Sequence, residues 1–274
     1  MRRRGPPARF RTDVFPVPAS HRGSALTLSR RELLRAAVLG AGAVLWPRSA
    51  LAFGESAKIV FAQLRHGGNF EPRPHALRRL AFETMERTSL ELSPSPRLLG
   101  LESPELFEHP FLYLAAEGGF PAFSERESGV LRRYLSYGGF LLADSADGGD
   151  AFDQSIRREL SRALPQNALD RVAQGHVLYK SFYLIDHQGG RQLVAPYLEG
   201  ALLGGRLAVV YTRNDLGGAW SRDDRGDWEY QVVPGGEDQR EMAFRMGVNL
   251  AMYATCLDYK DDQVHLPFIL KRRR

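Results

Sequence analysis

The chain has a single cysteine, Cys256, among 274 residues. An intramolecular disulfide is therefore excluded, and so is any Cys/His zinc spacing. Cys256 falls late in an apolar-periodic stretch, Glu237–Leu257, and reads as a buried structural thiol. Long apolar runs are also missing. The longest, Ala36 to Trp46, has eleven residues, whereas a bilayer span needs about 20. No membrane span is expected in the mature chain. Internal repeats, a G-x-S-x-G motif and a complete calcium loop are absent as well.

A basic folded part is missing too, although the formal charge is +5. Residues 1–52 hold ten Arg against Asp13 and Glu32. That excess of eight exceeds the whole chain's, and leaves residues 53–274 at −3. The basic pI belongs to the leader and gives no argument for nucleic-acid binding. The terminal run Lys271-Arg272-Arg273-Arg274 reads as a solvated end.

The leader has its own pattern. Arg30-Arg31 precede the mildly apolar Ala36–Trp46 run, and Ala50-Leu51-Ala52 supplies a small-x-small site. These features predict a twin-arginine-type export signal over residues 1–52, cleaved after Ala52. Residues 53–274 then form one α/β domain in the periplasm or outside the cell.

Within that domain the clearest unit is Ser124 to Gly149. Ser124 and Glu127 have capping-box spacing, so a helix starts there. Gly138-Gly139 ends it. Phe140 to Ala143 is a continuous apolar run, as in a strand buried on both faces, and it stops at Asp144. Lys58–Leu64, Phe111–Ala116 and Leu207–Tyr211 read as further buried strands, and Ala76–Arg87 and Ala151–Ala163 as helices. Leu90–Leu92 reads as a short second strand and Ala168–Val172 as an edge strand. Gly189-Gly190 looks like a hairpin turn. Asp215–Gly236 looks like a long loop rich in charge and aromatics, followed by a final helix, Glu237–Leu257.

Alternation of helices with buried strands predicts a mainly parallel open sheet with helices on both faces. Ligands of such sheets sit at the carboxyl ends of the strands. Those ends carry Arg65, His66, Asn69, Glu117, Asp144, Arg213, Asn214 and Asp215, with Trp220 on the following loop. All nine are candidates for one ligand-binding cleft. Ser145 is a candidate nucleophile with His66 or His176 as base, and Asp144, Asp147 and Asp215 are candidate metal carboxylates. Neither set forms a complete constellation, and no metal site is assigned.

Four stretches carry a resemblance: Arg65–Pro74, Pro110–Phe120, Tyr134–Asp144 and Arg213–Trp220. Together they resemble the bacterial domain-of-unknown-function family 4159, which is grouped with class I glutamine-amidotransferase-like domains. The resemblance implies a flavodoxin-like fold. Amidotransferases place a cysteine on a G-x-C-x-G elbow, and here Asp144-Ser145-Ala146 stands after the strand instead. Two functions follow as expectations. One is a non-catalytic module of the cell envelope that binds an unknown small molecule or an envelope protein. The other is a periplasmic hydrolase using the strand-end acids and His66. No cofactor is identified.

Overall fold

The computed structural model describes residues 58–256, to which every structural statement below refers. The expected export signal, its expected cleavage site and the basic C-terminal run lie outside the described residues.

Seven strands form one sheet. They are β1 (Ala62–Leu64), β2 (Arg97–Leu99), β3 (Phe111–Ala116), β4 (Phe140–Ser145), β5 (Asp170–Arg171), β6 (Glu199–Leu203) and β7 (Arg206–Thr212). Their order is β2-β1-β3-β4-β7-β6-β5. The first five run parallel; β6 and β5 add an antiparallel edge. The helices are α1 (Ala76–Arg87), α2 (Glu125–Ser136), α3 (Asp150–Ala163), α4 (Leu216–Trp220) and α5 (Gly236–Thr255). This is an α/β architecture consistent with a flavodoxin-like open sheet.

Strand periodicity decides which face each residue serves. Phe111, Tyr113, Phe140, Leu142 and Val210 pack with α1, α4 and α5. Leu112, Leu114, Leu141, Ala143 and Val209 pack with α2 and α3 on the other side. Because both faces are covered, the central strands read as continuous apolar runs rather than alternating ones.

The αβ unit at residues 124–145 forms as its sequence predicts. Ser124 accepts from Glu127 N at 3.1 Å, and Ser124 N donates to the Glu127 carboxylate at 2.8 Å. Gly138 takes φ +108°, and Gly139 N donates back to Tyr134 O at 2.9 Å. This pair of features closes the helix in a Schellman turn. A Cβ on Gly139 would lie 2.4 Å from the Tyr134 ring, so the second glycine is set by packing.

Several elements differ from the sequence reading. The hairpin turn is at Gly204-Gly205, both with positive φ, between β6 and β7. Gly189-Gly190 makes no hairpin; a Cβ there would meet the Ala243 backbone at 2.2 Å or Asn214 O at 2.2 Å. That glycine pair allows close approach to α5 and to the end of β7. β1 is only three residues, with Ile59 and Leu92 joined by an isolated parallel bridge, and the second strand is Arg97–Leu99. The expected 215–236 loop contains α4 and a small hairpin bridged at Arg222–Trp228. Cys256 is half-buried at the α5 C-cap rather than buried inside the helix. No helix among the described residues is long and apolar enough to cross a membrane.

Candidate functional site

The parallel strands β1, β3, β4 and β7 end at one rim of the sheet. From β1 the chain moves outward to β2 and then returns past β1 to β3. The β1/β3 boundary is thus the topological switch point, where open α/β sheets hold ligands.

Along this rim the nine sequence candidates separate into an exposed set with His66 beside it, a buried pair of acids, and residues that brace the backbone or fill the core. Arg65, Asn69 and Glu117 are exposed, and their side chains have no protein partner among the described residues. His66 lies between them. Its Nε2 sits 3.0 Å from Ala115 O, and Gly68 N donates to Nδ1 at 3.1 Å. An Nδ1 that accepts fixes the proton on Nε2, so both nitrogens are committed. The ring also packs against Phe120, with centroids 4.7 Å apart. Burial holds the imidazole below its usual pKa, against the opposing pull of the Ala115 carbonyl. An open depression of about 530 Å³ lies beside it, lined by Arg65, His66, Gly67, Glu102, Ser103 and Glu127 among others.

The buried group is built around Asp144 and Asp215, both fully inaccessible. β4 extends to Ser145, so Asp144 is a strand residue paired in register with Ala115 and Thr212. Its face is the one carrying Phe140 and Leu142, beneath α4. Tyr113 donates its hydroxyl to Asp144 Oδ2 at 2.8 Å. Leu216 N donates to Oδ1 at 3.0 Å, and Gly217 N to Oδ2 at 2.7 Å. Asp215 is in the left-handed region at φ +53° and caps α4 through Gly218 N at 2.8 Å. Arg73 Nη2 donates to Asp215 Oδ2 at 2.8 Å, and Arg191 Nε binds the same oxygen. Arg73 also donates to Ala146 O at 2.9 Å and stacks 4.2 Å over the Tyr230 ring.

Electrostatics separates the two acids. Burial, and after it the charge of Asp215, pushes the Asp144 carboxyl up to about 7, against hydrogen bonds from Gly217, Tyr113 and Leu216. Arg73 is buried as well, and its ion pair with Asp215 holds the guanidinium firmly charged.

The remaining candidates brace the backbone or fill the core. Arg213 donates to Gly148 O at 2.6 Å and to Asp150 at 2.8 Å. Asn214 is buried; it accepts from Val194 N and Ala195 N at 2.9 Å each and donates to Ala195 O at 2.8 Å. Trp220 is fully buried, with Nε1 donating to Ala243 O at 2.9 Å. Ser145 is buried and donates to Asp147 Oδ1 at 3.0 Å. Asp147 also accepts from Gly149 N and Gly118 N. Among the described residues no three His, Cys, Asp or Glu side chains gather as a metal site would require.

Tyr113, Arg73, Arg191 and Tyr230 were not legible as site residues. Tyr113 reads as strand core. Arg73 stands in a Pro-Arg-Pro loop and Arg191 in an irregular segment, and neither residue carries a motif.

The family described as Domain of unknown function (DUF4159) matches residues 60–255, from β1 to the end of α5. No curated protein matches the chain. The matched span takes in the rim residues and every element of the sheet, and the chain belongs to the DUF4159 family.

Proposed function

We propose that residues 53–274 are a non-catalytic binding module, amidotransferase-like in architecture, which acts in the cell envelope after twin-arginine export. One observation carries the reading: the groups that a hydrolase would use are consumed internally. Asp215 is spent on Arg73 and Arg191, Asp144 on Tyr113 and two amides, and His66 on Ala115 and Gly68. Of the nine candidates, those left with free hydrogen-bonding capacity among the described residues are Arg65, Asn69 and Glu117. A ligand with a carboxylate or phosphate for Arg65 and a polar group for Asn69 fits that set. The absence of a cysteine or a glycine-flanked serine after β4 supports the same view.

The hydrolase reading keeps one supporting observation, the Asp144 carboxyl pushed up to about 7, since shifted carboxyls cluster at active sites. Against it stands the complete burial of that group.

A thermal-shift screen of the purified protein against carboxylated sugars, peptidoglycan fragments and metal salts tests the proposal, because a ligand of the native state raises its melting temperature. A stabilising ligand whose effect disappears in Arg65→Ala is expected. Turnover of an ester or amide substrate that Asp144→Asn or His66→Ala abolishes would replace the binding reading with the hydrolase one.

A further inference from the structure

A second polar cleft lies outside the rim cluster, between the first turns of α1 and the hairpin at residues 221–229. Its volume is about 460 Å³, within the range of small-ligand sites. Arg78 and Arg79 come from the helix, and Arg222 and Arg225 from the hairpin. Phe82, with 44 % exposure, and Pro94 give it an apolar wall.

The hairpin is braced by its own bonds. Arg222 and Trp228 form an antiparallel bridge. Asp223 Oδ1 accepts from Arg225 N and Asp227 N at 2.9 Å each, and Gly226 takes φ +90° at the turn. The Trp228 ring is contacted by two guanidiniums, Arg222 at 4.2 Å and Arg240 at 4.1 Å. Arg222 is thus held by stacking rather than by hydrogen bonds, and its donors stay unspent.

The charge balance inside the cleft is uneven. Asp224 is taken by Arg78 at 2.6 Å, Asp223 by the turn amides, and Arg79 by Glu83. The side chains of Arg222 and Arg225 have no hydrogen bond or ion pair among the described residues. Six buried side-chain polar atoms of the described residues lack a partner, and four lie in or beside this wall: Arg79 Nε, Ser221 Oγ, Arg222 Nε and Glu229 Oε2. Such groups are rare in folded proteins; these four are shielded from solvent, so the free capacity of the cleft rests on the guanidinium groups of Arg222 and Arg225.

We infer that the cleft between α1 and the 221–229 hairpin binds a small sugar bearing a phosphate or a carboxylate. Arg222 and Arg225 take the anionic group, while Arg79 is held on the helix by Glu83. The sugar ring lies against Pro94 and the part of Phe82 left exposed beside the Arg79 guanidinium, which stands 5.0 Å from the ring centroid. Glu229 lies behind the wall, bonded to His75 at 2.8 Å, and its second oxygen is buried away from the cleft.

Isothermal titration of the full-length protein with glucose 6-phosphate, glucuronate and glucose tests this, at low ionic strength and against chloride of equal ionic strength. Either anionic sugar is expected to bind at least about tenfold tighter than glucose, as charge-assisted guanidinium bonds require. Phosphate preference or carboxylate preference identifies the anionic group, and either supports the site. Arg225→Ala removes an exposed, unpartnered side chain and leaves the fold alone; it is expected to weaken binding about tenfold, as is Arg222→Gln. Arg65→Ala is expected to leave the affinity unchanged, which separates this cleft from the rim depression. The inference is overturned if neither anionic sugar exceeds the chloride control, if both arginine variants bind as the parent does, or if Arg65→Ala abolishes binding.

Discussion

Asp144 and Asp215 occupy one buried cluster, yet only Asp215 touches a cation. Asp215 has Arg73 and Arg191; Asp144 has a phenol and two amides. The charge of Asp215 adds to the burial that raises Asp144.

That asymmetry has a pH signature. The Asp144 carboxyl titrates near 7 in the fold and near 4 in the unfolded chain. Between those values the native state binds more protons than the unfolded state, so stability falls as pH rises. Above about 7 the cost is complete; below about 4 it is gone. Asp144→Asn removes the term, so the difference in unfolding free energy, parent minus variant, should shrink from pH 4.5 to pH 8. His66, with a depressed pKa, contributes the opposite slope below its usual value, but it is common to both proteins and cancels. Urea titrations at the two pH values check this; a difference independent of pH would show that Asp144 stays ionised throughout.

Arg73 is the principal counter-ion of Asp215. Arg73→Ala leaves a fully buried carboxylate with only Arg191 beside it. Breaking a buried pair costs about 3–5 kcal/mol, and the surviving arginine puts this case near the lower end. Arg73→Ala/Asp215→Ala should be less destabilised than the sum of its single variants. Additive denaturant midpoints would remove the pair from any role in stability.

Gly217 allows α4 to approach the Tyr113 hydroxyl. A Cβ there would lie 2.3 Å from that oxygen, and Tyr113 is buried and has no room to move. Gly217→Ala is expected to cost about 1–3 kcal/mol, the usual range for overpacking. Tyr113→Phe deletes the obstructing atom, so the double variant should recover part of the loss. Thermal denaturation of the four proteins reads the coupling; no recovery would place the strain elsewhere.

Export is tested separately. Replacing Arg30 and Arg31 by Lys is expected to hold the precursor in the cytoplasm. Fractionation that still finds the variant in the periplasm would exclude the twin-arginine route.

How much of this was readable follows from which groups carry the signal. The αβ unit at 124–145 was legible because a capping box, a Gly-Gly stop and an apolar run are all local. Asp144 reads as the end of a buried strand because a lone acid after four apolar residues stands out, although β4 runs on to Ser145. Its partners did not stand out. Leu216 and Gly217 bind it through backbone amides, which any residue possesses. Trp220 read as a ligand aromatic because Leu216-Gly217-Gly218-Ala219 looks like a loop. The glycines are there because a Cβ at Gly217 or Gly218 would strike Tyr113 or Asp215. Gly189-Gly190 misled for the related reason that close backbone approach and hairpin turns both select glycine.

The tie between Arg73 and Asp215 joins positions 142 apart. During synthesis Arg73 emerges long before its acid exists. Until then its guanidinium stays in water, because burying it alone costs more than the surrounding apolar contacts return. The α1 side of the sheet is completed by α4 and α5, which follow Asp215, so a nascent chain that ends short of Asp215 leaves that face open.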